Sequence, residues 1–438
     1  MGKPSGTDRH EIDAVAGVRQ ASDVAGHADH ERTDVVVVGA GPCGLAAAIA
    51  LGKVGIRAVT LERGCLVSGI YGYPTFMSFF STAERLSIGG IPFSVPTEKP
   101  TRRDALAYYR TVADHFAVDV RQYETVERVE RLGVPGEGTG ADAQAGGGVA
   151  GGVGASGAGY DVDALAADEL AGDDFAGGHL SGAWGAPPNN IIARTPASSV
   201  TGTTHHGAAE RAPLPTRFRI HSRTRSGRAR MTDANAVVVA TGYFGHPNRL
   251  GVPGEDLPHV THLFEEGHVA FGLPVVVVGG GNSAVDAALD LYRAGARVTI
   301  VHFGPELDRN VKPWVMPDIT NRISEGSIAA RMDARVVAIH PESVVITTPH
   351  GEEVVPAEQV YLMLGYQPNN DLLQQLGVHI DPDSGVPAHD PATMETSVAG
   401  VYMAGVLASG YDANKTFIEN GRHHGDLIAA RLSTTTDE

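Results

Sequence analysis

Two stretches of this chain carry the same order of strand, glycine turn, helix and strand, and that repeat limits the fold more than any other feature. The first, DVVVVGAGPCGLAAAIALGKVGIRAVTLER, runs from Asp34 to Arg63, and the second, LPVVVVGGGNSAVDAALDLYRAGARVTIVHF, from Leu273 to Phe303. Each unbroken valine run predicts a strand buried on both faces, and the Ala/Leu segment after the glycines predicts a helix packed over it. Such a unit cradles a dinucleotide. In the first, Gly39 permits the tight turn, Gly41 lets the backbone approach a pyrophosphate, and Gly44 lets the helix pack close to the strand. Pro42 and Cys43 lie within this turn, at a helix start whose free N–H groups and dipole favour phosphate. Glu62, about twenty residues on at the tip of the second strand, is placed to grip ribose hydroxyls, and Arg63 follows it among the candidate cofactor contacts.

The second unit reads Gly279, Gly281 and Ala284, with Asn282 and Ser283 between them; alanine is an accepted variant in the third place. Two such turns imply two nucleotide cofactors. The first turn, with Glu62 and a long aromatic loop after it, suits FAD. At the second strand tip an NAD site would carry an acid, but the chain has Val301-His302-Phe303. The missing carboxylate removes a repulsion against a 2′-phosphate, which favours NADPH. His302 is a candidate to face that phosphate, with Arg309 or Lys312 adding charge; the plainer reading of His302 is a surface residue at a strand end.

Composition narrows the class. A chain of 438 residues accommodates two or three domains. A net charge of −17 offers no basic field to nucleic acid or a membrane surface. No run approaches the ~20 apolar residues of a membrane span, and the N-terminus lacks an apolar signal region, so a cytoplasmic location is expected. Cys43 and Cys65 are the only cysteines, which excludes a disulfide framework or a Cys-rich metal site. Residues 1–32 read as a disordered tail, and 133–215, rich in Gly, Ala and Ser, as a disordered insertion; the adjacent His205 and His206 within it are weak evidence for a metal. An amphipathic helix and short strand are expected over Arg102–Val120, and a hairpin around Ser226-Gly227. Further buried strands are expected at Ala236–Gly242, QVYLMLG and Val401–Ala404, with a closing helix from about Asn414 to Thr416 onward. The expected fold is α/β. Two Rossmann-like three-layer domains are arranged so that an NADPH domain (272–365) is inserted in a discontinuous FAD domain (33–132, 216–271 and 366–438).

This arrangement resembles the thioredoxin reductase-like flavoproteins with two dinucleotide-binding domains. In that group an ATG strand end, here Ala240-Thr241-Gly242, closes the FAD domain before the second domain, and a late strand, turn and helix return to the flavin. Thr241, Gly242, Gly405, Val406 and Thr416 become candidate flavin contacts through that resemblance. Two reductase patterns are missing, the CxxC of thioredoxin reductases and the paired cysteines of glutathione reductase-like enzymes. The usual Ala-Gly-Asp of the late turn is Ala404-Gly405-Val406, so the aspartate contact to the ribityl chain must be made otherwise, as by backbone. GAGPCG, IYGYPT with FFSTAERLSIG, Lys312-Pro313-Trp314, and the ending from Asp412 to Gly421 resemble, in order, the bacillithiol disulfide reductase family of bacteria (the YpdA type). The resemblance implies FAD, NADPH and a small disulfide substrate, that of bacillithiol, and makes Cys43 the candidate redox residue; a homo-oligomer is expected.

A thiol at a helix N-terminus is expected to have a lowered pKa, which would suit Cys43 to a mixed disulfide with substrate. The plain alternative is that cysteine is a small residue fitting a tight turn. Cys65 reads as structural. His423 and His424 read as proton donors or as polar residues of a helix facing flavin or a neighbouring subunit. Two other functions fit the same motifs: a ferredoxin/flavodoxin–NADP reductase, which needs no cysteine, and a flavin-bearing redox sensor.

Overall fold

The computed structural model describes residues 29–132, 217–412 and 415–434; residues 1–28, the whole of the expected insertion 133–215 with His205 and His206, and Asn414 lie outside the described residues. Two parallel five-stranded sheets carry the two glycine turns. In the first the order is Val401–Met403, Ala236–Val239, Val35–Val38, Ala58–Glu62 and Asp119–Gln122. Val35–Val38 sits at its centre with every residue buried, which is why it reads as a continuous valine run and not as alternation. The second sheet repeats the plan with the order Ala329–Arg331, Arg297–Val301, Pro274–Val278, Gln359–Leu362 and Val260–Thr261. Val275 and Val277 enter one core with the helix Asn282–Arg293, and Val276 and Val278 enter another under an antiparallel meander, Arg335–His340, Ser343–Thr348 and Gly351–Pro356.

A separate four-stranded sheet pairs Asp29–Arg32, Ala229–Ala234, Phe218–Thr224 and Glu124–Arg131. The expected tail to residue 32 therefore ends too late. Its last four residues form an edge strand that carries no apolar period for sequence to reveal. Glu31 is held there by Arg121 (Nη2 to Oε2 2.8 Å), and that guanidinium lowers the carboxylate's pKa. The ends of the expected insertion meet across this sheet, where the Leu132 amide donates to the Arg217 carbonyl at 2.7 Å. A long excursion between paired ends costs little, because closure entropy grows only slowly with length.

The helix Arg102–His115 starts on a capping box, in which Thr101 and Asp104 exchange hydrogen bonds. Its buried face orders the aromatic loop beside the first turn. Tyr108 stacks on Phe93 (4.2 Å) and donates to the Ile91 carbonyl, while Tyr109 donates to the Leu86 carbonyl. That loop holds two short helices, Ser68–Tyr71 and Ala83–Leu86. At the C-terminus the last helices are Ile418–Gly421 and His424–Thr434, so the closing helix begins later than expected. Asn420 Oδ1 accepts from the Phe417 amide and sets that start.

Candidate functional site

The first glycine turn is built by contacts that only glycine permits. Gly39 has φ +106°, and a Cβ there would stand 2.5 Å from the Ala240 carbonyl oxygen. A Cβ on Gly44 would stand 2.0 Å from the Gly39 oxygen. By contrast, a Cβ on Gly41 would meet nothing within 4 Å, so the open side of the turn lies at the residue that should face a pyrophosphate. Pro42 opens the helix Pro42–Lys53, whose first turn carries no acid to repel a phosphate. Glu62 is buried. Its Oε2 accepts from the Ala40 amide (2.8 Å), and its Oε1 from the Gly64 amide (2.7 Å) and the Ser68 hydroxyl (3.0 Å). These bonds aim the carboxylate, which also lines the cavity described below. Arg63 donates to the Phe244 carbonyl at 3.0 Å. Thr241 Oγ1 is buried without a partner among the described residues, as expected of a hydroxyl waiting for a ligand. The residues at this turn fit a dinucleotide.

Cys43 lies against the late turn. Cβ atoms on Gly405 and Gly421 would stand 3.2 and 3.0 Å from its Sγ, so both glycines make room for the sulfur. The expected low pKa is not found. Burial pushes the thiol up to about 12, because removing a thiolate from water outweighs the helix N-terminus. Gly405, at φ +81°, donates its N–H to His424 Nδ1 (3.2 Å). Burial, then the neighbouring His389 and His423, hold His424 down to about 4. Its imidazole is thus neutral at pH 7, which corrects the reading of His424 as a ready proton donor; His423 is exposed. The unfolded chain, with an ordinary histidine at 6.5, binds a proton before the folded one does. Stability should therefore fall as pH drops from 6.5 toward 4, and His424→Gln should flatten that part of a Tm–pH curve.

At the second turn, Gly279 has φ +134°, and a Cβ there would stand 2.4 Å from the Met363 oxygen, matching Gly39 and Ala240. The expectation that His302 faces a phosphate fails. His302 is 3% exposed, its ring packed so closely on Gly280 that a Cβ there would meet it at 2.4 Å. The absence of a side chain at Gly280 draws the ring inward. Lys312 is also committed, since its Nζ pairs with Asp286 at 2.7 Å and its amide donates to Asn282 Oδ1 at 2.8 Å. Arg309 is exposed and lines the cavity. Asn282 and Ser283 line it too, whereas Gly281 and Ala284 serve the turn behind them.

One cavity of about 1030 Å³ runs between the two turns. It is lined by Gly39, Gly41, Pro42, Cys43, Glu62 and Arg63 from the first unit and by Thr241, Gly242, Gly405, Val406 and Thr416 from the strands and turns beside it. Cavities of roughly 300–1,000 Å³ hold drug-sized ligands, so this one has room for an extended dinucleotide. Sequence reading missed much of its wall. Tyr73, Phe244 and Tyr366 form an aromatic run with centroids 4.8 and 4.7 Å apart, and Phe80, also in the wall, is backed by Trp314 (5.5 Å) and the Lys99 ammonium 3.8 Å above that indole, both outside the lining. The clustered aromatics of IYGYPTFMSFF and the motif Lys312-Pro313-Trp314 were the available signal. His246, His262 and Asn369 also line the cavity, with no sequence signal at all.

A family model described as "Pyridine nucleotide-disulphide oxidoreductase" matches residues 36–135 and 216–405. The chain is 35% identical to bacilliredoxin reductase Bdr of Bacillus subtilis over 91% of this chain and 97% of that one. The solved bacillithiol disulfide reductase Bdr (YpdA) from Bacillus cereus is 34% identical, with a TM-score of 0.72 over 92% of this chain and 100% of that one. T. acidophilum thioredoxin reductase, 19% identical with a TM-score of 0.57 over 93% of this chain and 100% of that one, shares the fold. Such a family implies a flavin and a nicotinamide cofactor. Two Rossmann-like units facing one cavity, with full-length similarity on both counts, make this chain a member of the pyridine nucleotide-disulphide oxidoreductase family of enzymes, in its bacillithiol disulfide reductase branch.

Proposed function

We propose that the chain is a cytoplasmic, NADPH-dependent FAD enzyme that reduces a low-molecular-weight disulfide of the bacillithiol type. The observation that carries this is that Cys43 lines the same cavity as the first glycine turn and as Asn282 and Ser283 at the start of the second unit's helix, while Cys65 does not line it. Support comes from similar proteins, one a bacillithiol disulfide reductase and one a bacilliredoxin reductase. FAD would be held by Gly41 and the helix start at its pyrophosphate and by Glu62 at a ribose. Gly405 N–H is already given to His424, which leaves Val406 as the backbone donor in place of the usual aspartate. Bound flavin supplies the route by which the hydride of NADPH becomes two electrons for a disulfide. Arg309 is the candidate for the 2′-phosphate. Arg309→Ala should raise the KM for NADPH about tenfold, the size of one charge-assisted hydrogen bond, and leave that for NADH within about twofold.

Cys43 would attack one sulfur of the substrate disulfide, forming a mixed disulfide and releasing one thiolate. Two electrons originating from NADPH then cleave the mixed disulfide, regenerating Cys43 and releasing the second thiolate; each thiolate takes up a proton. Anaerobic stopped-flow tests the whole reading. NADPH should bleach the flavin, and bacillithiol disulfide should restore its absorbance within the turnover time. Restoration by reduced-potential protein acceptors such as ferredoxin or flavodoxin, with none by disulfides, would establish the reductase reading without a cysteine instead.

A further inference from the structure

The two glycine turns match in backbone but not in what faces them. Gly39 and Gly41 line the cavity, whereas Gly279, Gly280 and Gly281 do not. The difference lies in the chain that follows each second strand. Beyond Glu62 it leaves the Gly41 side of the first turn open, where an added Cβ would meet nothing within 4 Å. Beyond Phe303 it folds back over the second turn. The Asp308 amide donates to the Gly280 carbonyl (3.1 Å), Asn282 Nδ2 to the Asn310 carbonyl (2.9 Å), and the Lys312 amide to Asn282 Oδ1 (2.8 Å). These bonds lay the Asp308 side chain on Gly281, so that a Cβ there would stand 3.1 Å from Oδ2 of its carboxylate.

The middle glycine of such a turn is where the backbone approaches a pyrophosphate. At the second turn that approach faces Asp308. The helix Asn282–Arg293 starts at the same point, and its free N–H groups and dipole favour an anion, carboxylate or phosphate alike. Two anions brought to one place repel each other. Asp308 is built to give way, because its side chain is 50% exposed while its backbone is pinned through the amide. Only the side chain has to turn toward solvent. Its Oδ1 stands 3.6 Å from His302 Nε2, and the adjacent Arg309 is exposed.

We propose that Asp308 sets the affinity of the second turn for its nicotinamide dinucleotide: the carboxylate holds the pyrophosphate position and is displaced when the cofactor binds. The inference rests on the reading of this turn as the nicotinamide site. No covalent bond changes in the exchange, and neither the base nor the 2′-phosphate takes part, so NADP(H) and NAD(H) are held back by the same factor. Oxidised and reduced cofactor carry the same pyrophosphate, so the competition also loosens NADP⁺ once its hydride has been given up.

Calorimetric titration of the flavin-loaded enzyme with NADP⁺ and with NAD⁺ provides the test, since neither nucleotide reduces the flavin. Asp308→Asn keeps the size of the side chain and an oxygen to set beside His302, and removes the charge. It should lower both Kd values about tenfold and by equal factors, the scale of one half-exposed charge acting on another. Asp308→Ala should lower them at least as far. The ratio of parent to variant Kd should shrink in about 1 M salt, where the screening length falls to ~3 Å; a merely structural role would not give that dependence. Tightening of NADP⁺ alone would set the carboxylate against the 2′-phosphate and overturn the proposal. Weakening of both nucleotides, as from loss of an acceptor for a ribose hydroxyl, would overturn it, and so would unchanged values. If parent and variants all bound neither nucleotide, the nicotinamide reading of the turn would fall and the proposal with it. Disulfide turnover enters none of these readouts, so a failed substrate assignment and a failed proposal are seen separately.

Discussion

Gly44→Val should yield colourless protein of reduced stability, whereas Gly41→Ala should yield protein as stable as the parent but with weakened flavin binding. At Gly44 the added carbon would stand 2.0 Å from the Gly39 oxygen and 3.3 Å from the Ala240 Cβ. The first of those is backbone and cannot swing aside. Either the helix Pro42–Lys53 lifts from the sheet or the turn opens, and each removes the N–H groups from where a pyrophosphate would bind. Overpacking of this kind costs about 1–3 kcal/mol, and more when backbone must move, against a total stability of roughly 5–15 kcal/mol. Gly41, with open space around its missing side chain, carries no such packing cost. A methyl there only stands in the path of the ligand. Flavin absorbance of the purified protein and Tm together separate the two cases. A Gly44→Val protein that is yellow and melts like the parent would refute the packing argument.

The contrast between the two turns explains how much was legible beforehand. Valine runs, glycine spacing and a strand-tip acid are local, so they located the central strands, both helices and the place of Glu62 at a strand end. What surrounds each turn depends on chain far away in sequence. His302 is drawn inward by the bare backbone of Gly280, and Lys312 is neutralised by Asp286 in the facing helix; neither partnership has a period or a motif. The edge strand Asp29–Arg32 was missed for the same reason, its pairing resting on Arg121 and on the strand Ala229–Ala234 far along the chain. Asp308 stands on an irregular segment that signals nothing until the fold lays it against Gly281. Sequence also misjudged Cys43 in one respect. Its place at a helix start is visible, but its enclosure by Gly405 and Gly421 is not, and that enclosure reverses the expected shift.

That reversal sharpens what Cys43→Ser should do. With its pKa near 12 the thiol is almost wholly protonated at pH 7, so free Cys43 should react slowly with general alkylating agents. Reaction with a bound disulfide is a different case, since binding supplies proximity and a nearby base can take the proton as the sulfur attacks. Serine keeps the size of the side chain between Gly405 and Gly421, so the turn and its cofactor contacts should survive. It cannot form a mixed disulfide. Disulfide turnover should therefore drop about 10³-fold or more, with the flavin spectrum and ferricyanide reduction unchanged. Alkylation by iodoacetamide should be slow in the parent and keep rising with pH past the ordinary thiol range near 9, without levelling off there, because the thiolate fraction grows until about pH 12. Full disulfide turnover in the serine variant would remove Cys43 from the chemistry and leave it as a small residue that fills a tight turn.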